Sequence, residues 1–123
     1  MIDHGLHHCR ILVVEDEYML AEELAQELAD AGAQVLGPVA SIETAMALLD
    51  HEANPHGAIL DVNLGGEPVF PLADTLIGRG IPVIFTTGYD PATLPIRFAH
   101  VRTCGKPFTS ARVTEAIGSA IHA

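Results

Sequence analysis

Five side chains could do chemistry together: Glu15, Asp16, Asp61, Thr87 and Lys106. Asp61 ends the apolar run Ala58-Ile59-Leu60, which is too short for a helix and is bounded by Gly57 and Gly65-Gly66. Such a run reads as a strand buried on both faces. Glu15 and Asp16 follow a second run, Arg10-Ile11-Leu12-Val13-Val14. Thr87 ends a third, which starts at Pro82, and Lys106, the chain's one lysine, follows a fourth, Val101 to Cys104. In open α/β sheets the C-terminal strand ends face the ligand crevice, so neighbouring strands would bring these groups to one edge. Three close carboxylates repel one another and stay ionised together only beside a cation. Anionic oxygen ligands suit a hard divalent ion, and Mg²⁺ is the expected one. In such a site a carboxylate can attack phosphorus. A compact ammonium can neutralise one phosphoryl oxygen, and a hydroxyl can donate to another.

Each residue alone has a plainer reading. Asp61 could tie down the loop after its strand. Glu15 and Asp16 could sit at a helix N-terminus, which favours anions. Thr87 could be a β-favouring core residue, and Lys106 a solvated loop cation. All of them falling at strand ends of one small chain favours the shared site.

The elements that must position these residues alternate. A helical pattern runs from Glu17 to Ala31, with Leu20, Leu24 and Leu28 on one face and Gly32 as its stop. Gln34-Val35-Leu36 is a short strand closed by Gly37-Pro38. Ser41 is an N-cap for a second helix with the stripe Ile42, Ala45, Met46 and Leu49. Gly65-Gly66-Glu67-Pro68 reads as a loop, and Pro71 fits the first turn of a third helix that ends near Gly78. Pro91 and Pro95 interrupt the stretch from Tyr89 to His100, so a loop or a short, distorted helix is expected there. Thr109 or Ser110 caps a last helix with the stripe Val113, Ile117 and Ile121. Five β-α units with short connections argue for a parallel sheet covered by helices on both faces.

Composition narrows the function. The chain has 123 residues, and 49% of them are apolar, enough for one domain with a sizeable core. Six basic residues face sixteen acidic ones, a formal net charge of −10, which argues against nucleic acid and anionic membranes as partners. No apolar run reaches membrane-spanning length and the start does not read as a signal peptide, so a cytoplasmic location is expected. Cys9 and Cys104 lie far apart in sequence and read as reduced thiols. His4, His7, His8 and Cys9 could hold a soft metal, but a flexible tail over residues 1–9 is the favoured reading, followed by a single domain over residues 10–122.

Taken together, the motifs Val13-Val14-Glu15-Asp16-Glu17, Leu60-Asp61-Val62-Asn63-Leu64, Thr87-Gly88 and Lys106-Pro107-Phe108 resemble a response-regulator receiver domain of two-component signalling. The resemblance runs from about Arg10 to Ile121. It implies a flavodoxin-like, CheY-like doubly wound α/β fold with strand order 2-1-3-4-5. It implies that Asp61 is the phosphoacceptor. Glu15, Asp16 and Asp61 would form the Mg²⁺ pocket, with Asp16 and Asp61 as direct ligands and the backbone carbonyl of Asn63 completing the protein's share. Thr87 would be the switch hydroxyl and Lys106 the phosphate-binding lysine, with a cis peptide before Pro107. The implied partners are a sensor histidine kinase or histidine phosphotransfer protein and a downstream protein reached by contact, without a DNA-binding output domain.

The run Phe85-Thr86-Thr87-Gly88-Tyr89 further resembles the subgroup with a Phe-x-Thr-Gly-Tyr motif, the FAT GUY regulators, with Thr86 where Ala is usual. Most receivers carry an aromatic switch residue three places before the lysine, where this chain has Thr103. An activation route without a ring swinging inward is expected.

Two other readings compete. The chain could be an interaction module that keeps the fold without phosphorylation, which the intact acid, hydroxyl and lysine set counts against. It could be a metal-dependent aspartyl phosphohydrolase, but such enzymes usually need an acid two residues after the nucleophile, and that position holds Asn63.

Overall fold

The first core strand pairs on both sides, and the sheet grows outward from it. In the computed structural model, which describes residues 5–123, β1 (Arg10–Val14) lies between β2 (Gln34–Val39) and β3 (Gly57–Asp61), parallel to both. Two-residue strands β4 (Asn63–Leu64) and β5 (Glu67–Pro68) form a separate hairpin. Beyond β3 the main sheet continues through β6 (Val83–Thr87) and β7 (Arg102–Gly105), giving the order β2-β1-β3-β6-β7. With the hairpin set aside, this is the expected 2-1-3-4-5 order of a flavodoxin-like fold.

Among the described residues, four α-helices complete the layers: α1 (Tyr18–Asp30), α2 (Ile42–His51), α3 (Phe70–Gly78) and α4 (Ser110–Ile121). One core, built on Leu12, Leu60, Leu72, Leu76 and Phe85, lies under α2 and α3; the other, built on Ile11, Leu24, Leu28, Ile59, Val113 and Ile117, lies under α1 and α4. The caps follow the sequence. The Ser41 hydroxyl accepts from Thr44 N–H at 3.1 Å, Thr109 accepts from Arg112 N–H at 3.2 Å, and Pro71 stands in the first turn of α3.

The stretch from Tyr89 to His100 is irregular, as its prolines dictate. Only two 3₁₀ turns form, at Pro91–Thr93 and Ile96–Phe98. Phe98 anchors the second turn. Its ring is buried, stacks on Phe70 at 5.3 Å and meets Phe85 edge-on at 5.4 Å.

The structure departs from expectation in three places. Strand β2 does not stop at Leu36 but runs to Val39. It does so through a bulge, in which Leu12 faces Leu36 and Val14 faces Val39. Gly37 supplies the extra residue at φ +97°, where a Cβ would lie 2.8 Å from Val39 N and 3.0 Å from Val13 O. Residues 65–68 are not a plain loop either. Gly65 and Gly66, both at positive φ, are the two-residue turn of the β4–β5 hairpin.

The third departure is at the N-terminus. Residues 1–4, including His4 of the soft-metal cluster, lie outside the described residues. Gly5 to Cys9, expected to belong to a flexible tail, are tied to the domain instead, although His7 and His8 stay exposed. Leu6 is 0% exposed within the core under α1 and α4, and His8 N–H donates to Gly32 O at 2.9 Å. Among the described residues, His7, His8 and Cys9 form no metal-holding group. Leu6→Ala therefore lowers stability by about 2–4 kcal/mol in chemical denaturation. A midpoint equal to that of the unsubstituted protein would contradict this packing.

Candidate phosphoacceptor and metal site

The parallel register sets the C-terminal ends of β1, β3, β6 and β7 side by side. Val14 faces Leu60, Asp61 faces Thr86, and Thr87 faces Gly105. Backbone bonds then fix the loops that carry the side chains. Glu15 N–H donates to Val39 O at 2.9 Å, so the bulged end of β2 holds the start of the acidic run. Val62 N–H donates to Thr86 O at 3.0 Å, and Lys106 N–H to Thr87 O at 2.7 Å.

Carboxylate oxygens of Glu15, Asp16 and Asp61 lie within 4.8 Å of one another. Glu15 and Asp61 are 3% and 5% exposed, while Asp16 faces solvent. Lys106 Nζ bridges the buried pair, 3.1 Å from Asp61 Oδ2 and 3.2 Å from Glu15 Oε1. Asp61 Oδ1 accepts from Asn63 N–H at 3.2 Å, and Glu15 Oε2 accepts from Glu17 N–H at 3.1 Å. Thr87, 1% exposed, stands at the same edge with its hydroxyl oxygen accepting from Tyr89 N–H at 2.9 Å. The structure thus brings Glu15, Asp16, Asp61 and Lys106 together and sets Thr87 at the same sheet edge. The cis peptide expected before Pro107 is present, and a second precedes Pro38.

The residues fit a hard cation. Glu15 Oε1 is buried, with the Lys106 ammonium at 3.2 Å as its charged neighbour. Only one lysine offsets three acids. Each of the three acids offers a carboxylate oxygen within 4.8 Å of the others, a hard oxygen donor set that Mg²⁺ would accept. Asn63 lies opposite Pro68, which has no N–H to engage the Asn63 carbonyl. Two hollows of about 510 and 560 Å³ flank β7 and α4 and are not lined by these acids.

Electrostatics follow from the burial. Desolvation, reinforced by Asp61, pushes the Glu15 carboxyl up to about 7. Burial alone would lower the Lys106 ammonium, but its bonds to Asp61 and the charge of Glu15 outweigh that and raise it above its ordinary range. Between about pH 4.5 and 7, then, folded Glu15 holds a proton that the unfolded chain has lost. Its contribution to stability is full below about 4.5 and is lost as pH rises through 7. We expect the metal-free protein to lose on the order of 3 kcal/mol over that window. Glu15→Gln, which cannot ionise, flattens the profile in denaturation curves from pH 5 to 8. An unchanged slope in that variant would contradict the assignment.

Two features of the site carry weaker sequence signals. Asn63 contributes its side chain as well as its backbone. Its carboxamide donates to the Tyr89 hydroxyl at 3.2 Å and accepts from Gly66 N–H at 2.7 Å. The signal for the second bond was the Gly-Gly pair after a strand, a hairpin turn in its own right. Nothing local in the sequence announces the first, which joins residues 26 apart.

Comparison with known proteins places the chain in a family. No family model and no curated protein matches the chain. Among solved structures, SdrG from Sphingomonas melonis Fr1 is 34% identical with a TM-score of 0.79, over 94% of this chain and 98% of SdrG. The BeF3-activated conformation of SdrG, from a source given as Pseudomonas melonis Fr1, is 35% identical with a TM-score of 0.75, over 91% of this chain and 95% of that one. A response regulator receiver protein from Sinorhizobium medicae WSM419 is 26% identical with a TM-score of 0.75, over 96% and 98%. Among the described residues, no helix is long and apolar enough to cross a membrane. A parallel sheet in receiver order, an acidic pocket at its C-terminal edge and a near full-length relative at 34% identity converge on one conclusion: the chain belongs to the response-regulator receiver family.

Proposed function

We propose that Asp61 accepts a phosphoryl group from the phosphohistidine of a sensor histidine kinase or histidine phosphotransfer protein, and that the chain signals by protein contact. The observation that carries this is the cluster itself: three acids within 4.8 Å at the sheet edge, with Lys106 Nζ 3.1 Å from Asp61. In the step, an Asp61 carboxylate oxygen forms a bond to phosphorus while the bond from phosphorus to the donor's imidazole nitrogen breaks. The electron pair leaves with the imidazole, which takes up a proton, and an acyl phosphate remains.

The chain's residues act by position and charge. Asn63 N–H and Lys106 hold the two carboxylate oxygens of Asp61, which orients the nucleophile. Lys106 then neutralises a phosphoryl oxygen, and the Thr87 hydroxyl turns to donate to another. Glu15, Asp16, Asp61 and the Asn63 carbonyl would hold Mg²⁺, which when bound supplies positive charge to the acidic pocket and to the incoming phosphoryl oxygens. The BeF3-activated conformation solved for SdrG supports a similar response to phosphoryl-like ligands here. With Thr103 where an aromatic switch is usual, the signal leaves through Thr87, Gly88 and Tyr89 into the irregular stretch from 89 to 102. Rearrangement of that segment on phosphorylation is the proposed output.

Incubation with a small phosphodonor and Mg²⁺, followed by intact-mass measurement, tests the proposal. One phosphoryl group should appear and then decay slowly. A silent interaction module would gain nothing, and a phosphohydrolase would release phosphate from monoesters without holding a lasting adduct.

A further inference from the structure

Two paths lead from Asp61 to Tyr89, and one of them is hydrogen-bonded to Asp61 itself. Along one, Asp61 Oδ1 accepts from Asn63 N–H at 3.2 Å, and the Asn63 carboxamide donates to the Tyr89 phenol at 3.2 Å. The other crosses the sheet edge from Asp61 to the β6 end, where Tyr89 N–H donates to the Thr87 hydroxyl oxygen at 2.9 Å. Asn63 is itself held, because its Oδ1 accepts from Gly66 N–H at 2.7 Å inside the hairpin turn. Tyr89 is thus gripped by its backbone and by its ring tip, although the residue is 57% exposed and has little burial to keep it in place. Its ring forms one wall of a hollow of about 240 Å³ with Val62, Phe70 and Leu94. The far end of the segment is pinned separately by buried Phe98 and by the Arg97–Asp74 ion pair at 3.1 Å.

We propose that the Asn63 carboxamide and the Tyr89 phenol form a latch that holds the start of the irregular segment closed in the unphosphorylated protein, and that phosphorylation of Asp61 releases it. This rests on the phosphoacceptor reading of Asp61. Both grips depend on groups that phosphorylation engages. Turning the Thr87 hydroxyl toward a phosphoryl oxygen takes the acceptor from Tyr89 N–H. Converting the Asp61 carboxylate to an acyl phosphate changes the oxygen that holds Asn63 N–H, and the carboxamide shifts with its own backbone. Residue 63 is therefore a positioning residue for Tyr89 through its side chain, separate from any role of its carbonyl. The latch gives the chain a direct hydrogen-bonded link from phosphoacceptor to output segment, at the place where Thr103 offers no aromatic ring.

The test uses amide exchange and backbone resonances of residues 89–94 in the full chain. Four forms are compared: unsubstituted, Tyr89→Phe, Asn63→Ala, and the double variant. In the metal-free, unphosphorylated protein, each single variant loses roughly three- to tenfold protection in this stretch, the expected effect of one net hydrogen bond. The double variant loses no more than either single one, because both remove the same bond. Beryllium fluoride with Mg²⁺, a phosphoryl mimic, moves the resonances of residues 89–94 in the unsubstituted protein. In the single variants those resonances already lie part of the way toward that position before the mimic is added. Unchanged protection in both variants, or losses that add in the double variant, would overturn the latch whatever the mimic does. If instead the mimic leaves every resonance of the unsubstituted protein in place, the phosphoacceptor reading fails. Link and latch thus fail by separate readouts.

Discussion

Asp16→Ala abolishes most of the stabilisation that Mg²⁺ gives the unsubstituted protein. Asp16 is the exposed member of the acid cluster, so removing it costs little packing and relieves charge repulsion in the metal-free fold. The variant should fold at least as well as the parent without metal. With metal the two should diverge. A ligand that binds only the folded state adds about 1.4 kcal/mol at ten times its dissociation constant and about 2.7 kcal/mol at a hundred times. For a domain of this size that is a rise of several degrees in melting temperature. Thermal melts across a Mg²⁺ series should show that rise in the parent and little or none in Asp16→Ala. Equal shifts in both proteins would remove Asp16 from the pocket. Because Glu15 is half protonated near pH 7 without metal, the parent's gain should also be larger at pH 8 than at pH 6.

Lys106→Ala separates metal binding from phosphoryl transfer. Its ammonium lies 3.1 Å from Asp61 and 3.2 Å from Glu15, and it is not a metal ligand. Removing it leaves two buried carboxylates facing one another without a counter-charge, so the metal-free variant should be less stable than the parent and should gain more from Mg²⁺. Phosphorylation behaves oppositely. A fixed charge aimed at a developing anion contributes on the order of a hundredfold or more to rate when removed. We expect phosphorylation by a small donor to slow by at least that factor while the Mg²⁺ titration persists. Equal phosphorylation rates in the two proteins would deny Lys106 its role.

The sheet and the charged site were legible for the same reason. Each strand that feeds the site is a short apolar run broken by a chemically distinctive residue, and parallel connectivity leaves little freedom in where those residues end up. Asp61, Thr87 and Lys106 could be placed without knowing any contact. What stayed hidden depends on contacts between residues distant in sequence or on backbone states that composition does not encode. Leu6 is a single apolar residue among polar ones, and only the groove under α1 and α4 makes it a core residue. The extension of β2 needed Gly37 to be read as a bulge rather than a stop. Phe98 looked like part of an irregular loop, yet the ring cluster with Phe70 and Phe85 makes it an anchor. The pairing of Asn63 with Tyr89 joins two motifs that the sequence shows only separately.

Intact-mass measurement of the parent and Asp61→Asn decides whether Asp61 is the phosphoacceptor. Both proteins are incubated with a small phosphodonor, with and without Mg²⁺, and both are checked for folding by circular dichroism. The parent should gain one phosphoryl group, dependent on Mg²⁺, and Asp61→Asn none, staying folded because asparagine keeps the shape of the side chain and an oxygen for Asn63 N–H. A persisting gain on folded Asp61→Asn, or no gain on the parent at any donor concentration, would contradict it.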